Sequence, residues 1–165
     1  LKVYASGNQD VNHLNEKYDG MVPDILDNAF VIVDFENGVR AFLDICMFAE
    51  NSEFQEELCA VGSTGKIETE VPSNKSGIAS SDIRIGLRET TAAFKETIAV
   101  DSKILEAGHH HGSTYYEHLS FIKAIRNNTK PEVSLNDGLI AVAIGEAAEI
   151  SIKEGRVVQM SEFDL

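Results

Sequence analysis

The sequence is poor in several residue types, and each shortage excludes a class of protein. The 165-residue chain contains no tryptophan, two cysteines and three prolines. Two thiols are too few for a disulfide framework or for a four-cysteine zinc site. Lysine and arginine together number 14, against 27 aspartates and glutamates, so the formal net charge is −13. Such a charge repels nucleic acid and anionic membrane surfaces, and neither is expected as a partner.

Long apolar runs and nucleotide-binding motifs are also missing from the sequence. No segment approaches the roughly 18 consecutive apolar residues of a membrane-spanning helix, and no G-x-G-x-x-G dinucleotide motif is present. The segment Gly62–Lys66 partly matches a phosphate-binding loop, but its spacing is too short and a strand-like run follows it, so a hairpin turn is predicted. Cys46 and Cys59 have apolar neighbours and are predicted to be buried, reduced thiols of a cytoplasmic protein.

Segments rich in β-branched and aromatic residues predict antiparallel strands over the first two-thirds of the chain. After a strand near Lys2, strands are predicted at 29–35, 39–48, 54–61, 66–71, 82–88 and 94–100. Asn37-Gly38 between the first two of these predicts a type I′ hairpin turn, in which both central residues have positive φ. The strand at 39–48 carries apolar residues on both faces, which indicates that its second face is covered.

Helices are predicted in the last third of the chain. Thr114–Glu117 predicts a capping box that opens a helix ending at Asn128, and Ser134–Asp137 predicts the cap of a second, small-residue helix. Gly155 predicts the end of that helix, ahead of a last short strand. The expected fold is a single α+β domain over residues 1–165. Its sheet is mostly antiparallel and open, with helices packed on one face and the other face available for oligomerisation.

Three consecutive histidines lie just ahead of the first of these helices. Alternate side chains of an extended segment point the same way, so His109 and His111 could face one ligand while His110 turns away. Two alternatives remain open. The histidines could be solvated loop residues, or they could bind a metal ion together with Glu117 or His118.

The order of several motifs resembles the C-terminal domain of the Gfo/Idh/MocA oxidoreductases, the group of glucose–fructose oxidoreductase and inositol dehydrogenase. The resemblance runs from about Val3 to Met160. The motifs that carry it are Asp27–Ala29, Asp34–Gly38, Leu58–Glu68, His111–Phe121, Val133–Leu139 and Ala147–Ser151. In that family a Rossmann domain precedes this domain. The open sheet of the second domain commonly forms a subunit interface, and its loops form one wall of the substrate pocket.

The resemblance implies hydride transfer between NAD or NADP and a sugar, a polyol or a related alcohol. The family's E-K-P lysine motif and its G-x-H-x-x-D acid–base segment have no counterpart in this sequence. The chain also begins at Leu1, directly in strand-like sequence. We therefore expect the substrate-binding and oligomerising part of a longer enzyme, with no catalytic residue and no NAD(P) binding of its own.

The expected ligand and partners follow from the same resemblance. The candidate substrate contacts are His109, His111, Ser113, Tyr115 and Tyr116. Either tyrosine could hydrogen-bond a hydroxylated ligand, or it could pack as a buried aromatic against the sheet. The expected partners are a sugar or polyol and further copies of the chain, bound through the sheet face. The alternative is an interaction or scaffold domain that has kept the fold without the chemistry.

Overall fold

A computed structural model describes residues 1–73, 76–107 and 109–164 of the chain. The chain divides into two compact units. Unit 1 contains Leu1–Ala49 and the segment from Val133 onward, and unit 2 contains Glu50–Glu132. The expected α+β architecture with antiparallel strands is confirmed, and the strands form two four-stranded sheets, one in each unit.

The structure contains eight strands and three α-helices within the described residues. The strands are β1 Lys2–Asn8, β2 Asn28–Asp34, β3 Arg40–Cys46, β4 Phe54–Val61, β5 Gly65–Pro72, β6 Ser80–Leu87, β7 Phe94–Ala99 and β8 Val158–Gln159. The helices are α1 Ser102–Ala107, α2 Ser113–Asn127 and α3 Leu135–Glu154, with short 3-10 turns at His110–Gly112 and Met160–Glu162. None of these helices is long and apolar enough to cross a membrane.

The core of unit 1 lies between α3 and one face of the sheet β3-β2-β1-β8. Alternate residues of the strands are buried there, among them Val3 and Val31. They meet small side chains of α3 such as Ala143 and Ala147, which let the helix approach the sheet closely. Ser151 on the same helix is fully buried, and its hydroxyl accepts from the Ala5 N–H at 2.9 Å and donates to the Arg156 carbonyl at 2.6 Å.

The opposite face of this sheet is apolar and exposed in the chain. Directly paired residues of neighbouring strands share a face, and alternate residues of one strand do as well. By these two rules the exposed face carries Tyr4, Phe30, Ile32 and Phe42. Phe30 and Phe42 stack with ring centroids 5.9 Å apart, and their exposed fractions are 53% and 64%. No described residue of unit 1 buries these rings, and a covering partner for this face stays a prediction.

The helix ends confirm the caps predicted for α3 but not the one predicted for α2. Ser134 and Asp137 form the predicted capping box at the start of α3, and Gly155 ends that helix at φ 65°. The capping box predicted at Thr114–Glu117 is wrong, because α2 begins at Ser113 and its N-cap is Gly112, which has no side chain. Thr114 therefore lies inside the first helical turn, and its hydroxyl is not at the N-cap position.

Two further local predictions differ from the structure. The β2–β3 hairpin is present, but its type I′ turn is not, since only Gly38 has positive φ (84°). Phe35 and Val39 close a three-residue loop, which is a type I turn followed by a left-handed glycine. Cys46 and Cys59 are unpaired but exposed, so the prediction of burial is wrong. The apolar residues that flank each cysteine along its strand point to the opposite face of the pleat.

A buried carboxylate organises the loop between β1 and β2. Asp27 is 2% exposed, and its oxygens accept from the backbone N–H groups of Asp10, Val11 and Asn12 at 2.7–3.1 Å. The Asn28 side-chain amide donates to it as well, at 2.9 Å. Burial alone would raise the pKa of Asp27, but these hydrogen bonds to the ionised form outweigh it and hold the pKa well below 3.8.

Asp27→Asn tests this anchor through the acid range. A carboxylate whose pKa is depressed by folding stabilises the protein above its unfolded pKa, and this contribution is lost as pH falls through the folded value. The variant should unfold several degrees lower at neutral pH, and its midpoint should fall less than that of the wild type between about pH 5 and pH 3. Thermal unfolding by circular dichroism at stepped pH measures both. The control is Asp24→Asn, which removes one negative charge from an exposed residue of the same loop. Equal pH profiles for both variants would contradict the assignment.

Candidate functional site

The histidine segment forms a left-handed turn and not the extended backbone expected from the sequence. His109 is extended, whereas His110, His111 and Gly112 have φ of 52°, 55° and 88°. Residues other than glycine are uncommon in this region, and histidine is one of the types enriched among them. Gly112 is required for a second reason, because a Cβ at this position would lie 2.7 Å from Cγ2 of Ile104.

A cavity of about 580 Å³ lies beside this turn, entirely within unit 2. His109 and His111 both line it, and the remaining lining comes from the segment after β5 and from α1. The polar lining residues are Ser73, Ser102, Glu106, His109 and His111, and the others are Gly77, Ile78, Ala79, Leu105 and Ala107. The cavity therefore combines hydroxyl, imidazole and carboxylate groups with aliphatic side chains.

His111, which lines this cavity, carries an unused hydrogen-bonding atom. Its Nε2 is buried and has no hydrogen-bond partner among the described residues. A buried polar atom without a partner costs about 1–3 kcal/mol, so such atoms are usually satisfied by ordered water or by a ligand. An imidazole Nε2 either donates or accepts, depending on the tautomer, and can therefore bind either atom of a ligand hydroxyl group.

His110 points to the sheet and does not line the cavity. Its Nδ1 contacts Oε1 of Glu56 on β4, and Nε2 of Gln55 lies 3.1 Å from the same nitrogen. An ionised carboxylate can only accept, so a hydrogen bond here requires Nδ1 to carry a hydrogen and to act as the donor. The two outer histidines thus share a cavity, while the middle one binds the neighbouring strand.

The other predicted site residues do not join this cavity. Ser113 is exposed at the start of α2. Tyr115 is partly buried and Tyr116 is 53% exposed, and their rings meet edge to face with centroids 6.0 Å apart. None of the three is among the residues that line the cavity. Of the five candidates, only His109 and His111 line this cavity.

Sequence reasoning missed the residues that face the histidines. Ser102 and Glu106 lie on α1, which the strand and helix patterns did not predict. The signal was available at Asp101, whose Oδ1 accepts from the Lys103 N–H at 2.8 Å, as an aspartate at a helix start commonly does. Six residues are too few for a hydrophobic period to be recognised in the sequence.

The cavity does not fit a nicotinamide dinucleotide. A pyrophosphate is bound by backbone N–H groups at a glycine-rich helix start, whereas here the start of α1 is occupied by the Asp101 carboxylate and Glu106 adds a second negative charge.

The Gly62–Gly65 segment closes the β4–β5 hairpin through a 2.8 Å bond from the Gly62 N–H to the Gly65 carbonyl, as predicted. Within the ranges that the structure describes, no three His, Cys, Asp or Glu side chains are grouped to hold a metal ion.

Comparison with known proteins identifies the domain. A family model described as the oxidoreductase family C-terminal alpha/beta domain, Gfo/Idh/MocA type, matches residues 2–160. No curated protein sequence matches the chain.

Solved structures with the same fold are larger proteins. One is an oxidoreductase from Agrobacterium radiobacter in complex with NAD+, L-tartaric acid and magnesium, with 18% identity and a TM-score of 0.66. The match covers 98% of this chain and 43% of that one. Levoglucosan dehydrogenase with NADH and levoglucosan has 17% identity and a TM-score of 0.70, with 98% of this chain and 45% of that one covered. Its complex with NADH and L-sorbose has 18% identity and a TM-score of 0.68, with 95% and 43% covered. The chain spans less than half the length of each.

Gly112→Ala tests whether the left-handed turn is needed for the structure of unit 2. The added Cβ meets both a positive φ and the Ile104 side chain, so we expect a loss of about 1–3 kcal/mol in the free energy of unfolding. Gly145→Ala is the matched control, because no atom lies within 4 Å of a Cβ there and the residue is in α3. That change should stabilise the protein by about 0.5–1 kcal/mol. Urea unfolding followed by circular dichroism measures both, and effects of the same sign would contradict the assignment.

Proposed function

The chain belongs to the Gfo/Idh/MocA oxidoreductase family as its C-terminal α/β domain, and we propose that it forms the substrate side of an NAD(P)-dependent dehydrogenase of sugars or polyols. Two observations carry the proposal: His109 and His111 line one cavity, and Nε2 of His111 is buried without a hydrogen-bond partner among the described residues. The levoglucosan and L-sorbose bound by structural neighbours agree with a hydroxylated substrate.

The chemistry of the cavity supports a neutral, hydroxylated ligand. Each hydroxyl of a sugar both donates and accepts, which suits a lining of two serines, two histidines and one carboxylate. Ile78 and Leu105 can pack against the C–H face of a sugar ring. The volume of about 580 Å³ lies within the range of roughly 300–1,000 Å³ that is usual for small-molecule sites.

The described residues bind and orient in this proposal, and the redox chemistry belongs to the cofactor. NAD or NADP supplies the hydride acceptor when bound, and the cavity lining does not fit it, so we assign its binding to a Rossmann domain in the same protein. In the substrate complex, His111 Nε2 would hold one ligand hydroxyl and Glu106 would accept from another. No residue of this chain is assigned the transfer of the substrate proton.

Ligand binding by the chain can be measured directly by NMR. Levoglucosan and L-sorbose, titrated to tens of millimolar, should shift the imidazole resonances of His111, with a dissociation constant in the millimolar range or weaker, since only part of the enzyme's pocket is present. His111→Asn keeps a residue that tolerates the left-handed backbone but removes Nε2, and it should weaken binding at least fivefold. His118→Asn, an exposed histidine outside the cavity, is the control.

The same titration separates the enzyme from the scaffold alternative. A scaffold domain would leave the His111 resonances unchanged with every sugar. NADH added to the chain alone should give no saturable change in fluorescence, and saturable binding would contradict the assignment of the cofactor to another domain.

We also propose that the exposed face of the unit 1 sheet joins copies of the chain. Its support is the aromatic cluster of Tyr4, Phe30 and Phe42 together with Ile32, since soluble proteins rarely leave such contiguous apolar residues open to water. Aromatic side chains of this kind are typical centres of protein interfaces.

Phe42→Glu should prevent this association. A carboxylate at the centre of an apolar interface has no partner there, and we expect at least a tenfold weaker dimer. Leu43→Glu is the control, because the adjacent residue lies on the other face of the same strand and is 50% exposed. Sedimentation velocity over a concentration series measures the dissociation constants. A wild-type chain that stays monomeric at high concentration would overturn the proposal.

A further inference from the structure

The left-handed turn at His110–Gly112 has a conformational cost that other contacts must offset. Two of its three residues are not glycine, at φ of 52° and 55°, and consecutive non-glycine residues in this region are uncommon. Such backbone persists where the surroundings hold it in place. Gly112 is held by close packing against Ile104, and the remaining question is what holds the two histidines.

The His110 side chain makes the contact that ties this turn to the sheet. Its Nδ1 meets the Glu56 carboxylate on β4, and Gln55 of the same strand lies beside it. His110 and His111 are adjacent in the chain, and the His110 ring contacts β4 whereas His111 lines the cavity. Fixing the first ring on β4 therefore limits where the second can go, and the second lines the cavity with its Nε2 buried.

We propose that His110 is a positioning residue, and that its contact with Glu56 holds His111 in the cavity wall. His110 touches no ligand in this arrangement and acts only through the backbone of its neighbour. The relevance of this contact to sugar binding rests on the proposed function above, but the contact and its effect on His111 do not.

Chemical modification of the histidines tests the contact without any ligand. Diethyl pyrocarbonate reacts with accessible, unprotonated imidazole nitrogens, so the buried Nε2 of His111 should react slowly in the wild-type chain, and exposed His118 should react fast. Glu56→Ala should raise the modification rate of His111 about two- to fivefold, the range expected for losing a half-exposed contact between two polar side chains. Peptide mass spectrometry over a time course gives the rate for each histidine.

Matched variants separate positioning from a general loss of structure. Glu57→Ala removes the neighbouring carboxylate, which lies on the opposite face of β4, and should leave the His111 rate unchanged. Glu56→Gln keeps an amide oxygen that can accept from His110 Nδ1 and should restore much of the protection. His118 should react at one rate throughout, and the thermal midpoints of the three variants should agree within a few degrees.

The outcomes distinguish the two proposals. An unchanged His111 rate in a folded Glu56→Ala variant overturns the positioning role. If that variant does not fold, His110→Asn replaces it, because asparagine tolerates the left-handed region but lacks the imidazole, and it should raise the His111 rate equally. A raised His111 rate with no levoglucosan binding to the wild type supports the positioning role and counts against the proposed function.

Discussion

The alternation of side chains along each strand is the constraint on which both units of this structure depend. In unit 1 it sends Val3 and Val31 to the helix-covered core and their neighbours Tyr4 and Phe30 to the opposite face. α3 packs on one face of this sheet, and the other, apolar face has no cover among the described residues of unit 1. An exposed apolar face of this kind is typical of an interaction surface.

The side chains of the unit 2 strands alternate in the same way, but there one face of the sheet is charged and the other is apolar. Lys66, Glu68, Arg84 and Asp82 share one face of its sheet and neutralise one another in ion pairs, such as Lys66 with Glu68 at 2.6 Å. The other face carries Leu58, Ile67 and Ile85, and Glu56 lies on that side of β4. The carboxylate that meets His110 is thus separated by the sheet from the charged face, where lysine and arginine would compete for it.

The sequence was sufficient for the strands, for α3 and for the fold class, because those elements follow from period-two and helical patterns with strong end signals. The side chains of Ser134 and Asp137 cap the start of α3, and Gly155, which has no side chain, ends it in a left-handed conformation. Thr114 and Asn37 gave equally clear signals and were wrong. At Thr114 the helix begins one residue earlier, after a left-handed glycine. At Asn37 the hairpin loop has three residues and not two. In both cases the conformation of the neighbouring backbone determined the local structure.

The candidate site shows why such errors are larger where several segments meet. His109 and His111 were expected to face one ligand because alternate residues of an extended chain point the same way. They do line one cavity, but the backbone is left-handed from His110 to Gly112, so the reason lies elsewhere. That conformation depends on Ile104 and Glu56, which are eight and 54 residues away from their partners Gly112 and His110. A local pattern carries no information about such contacts. The grouping of the two histidines therefore depends on contacts between distant segments of the chain, which no local pattern predicts.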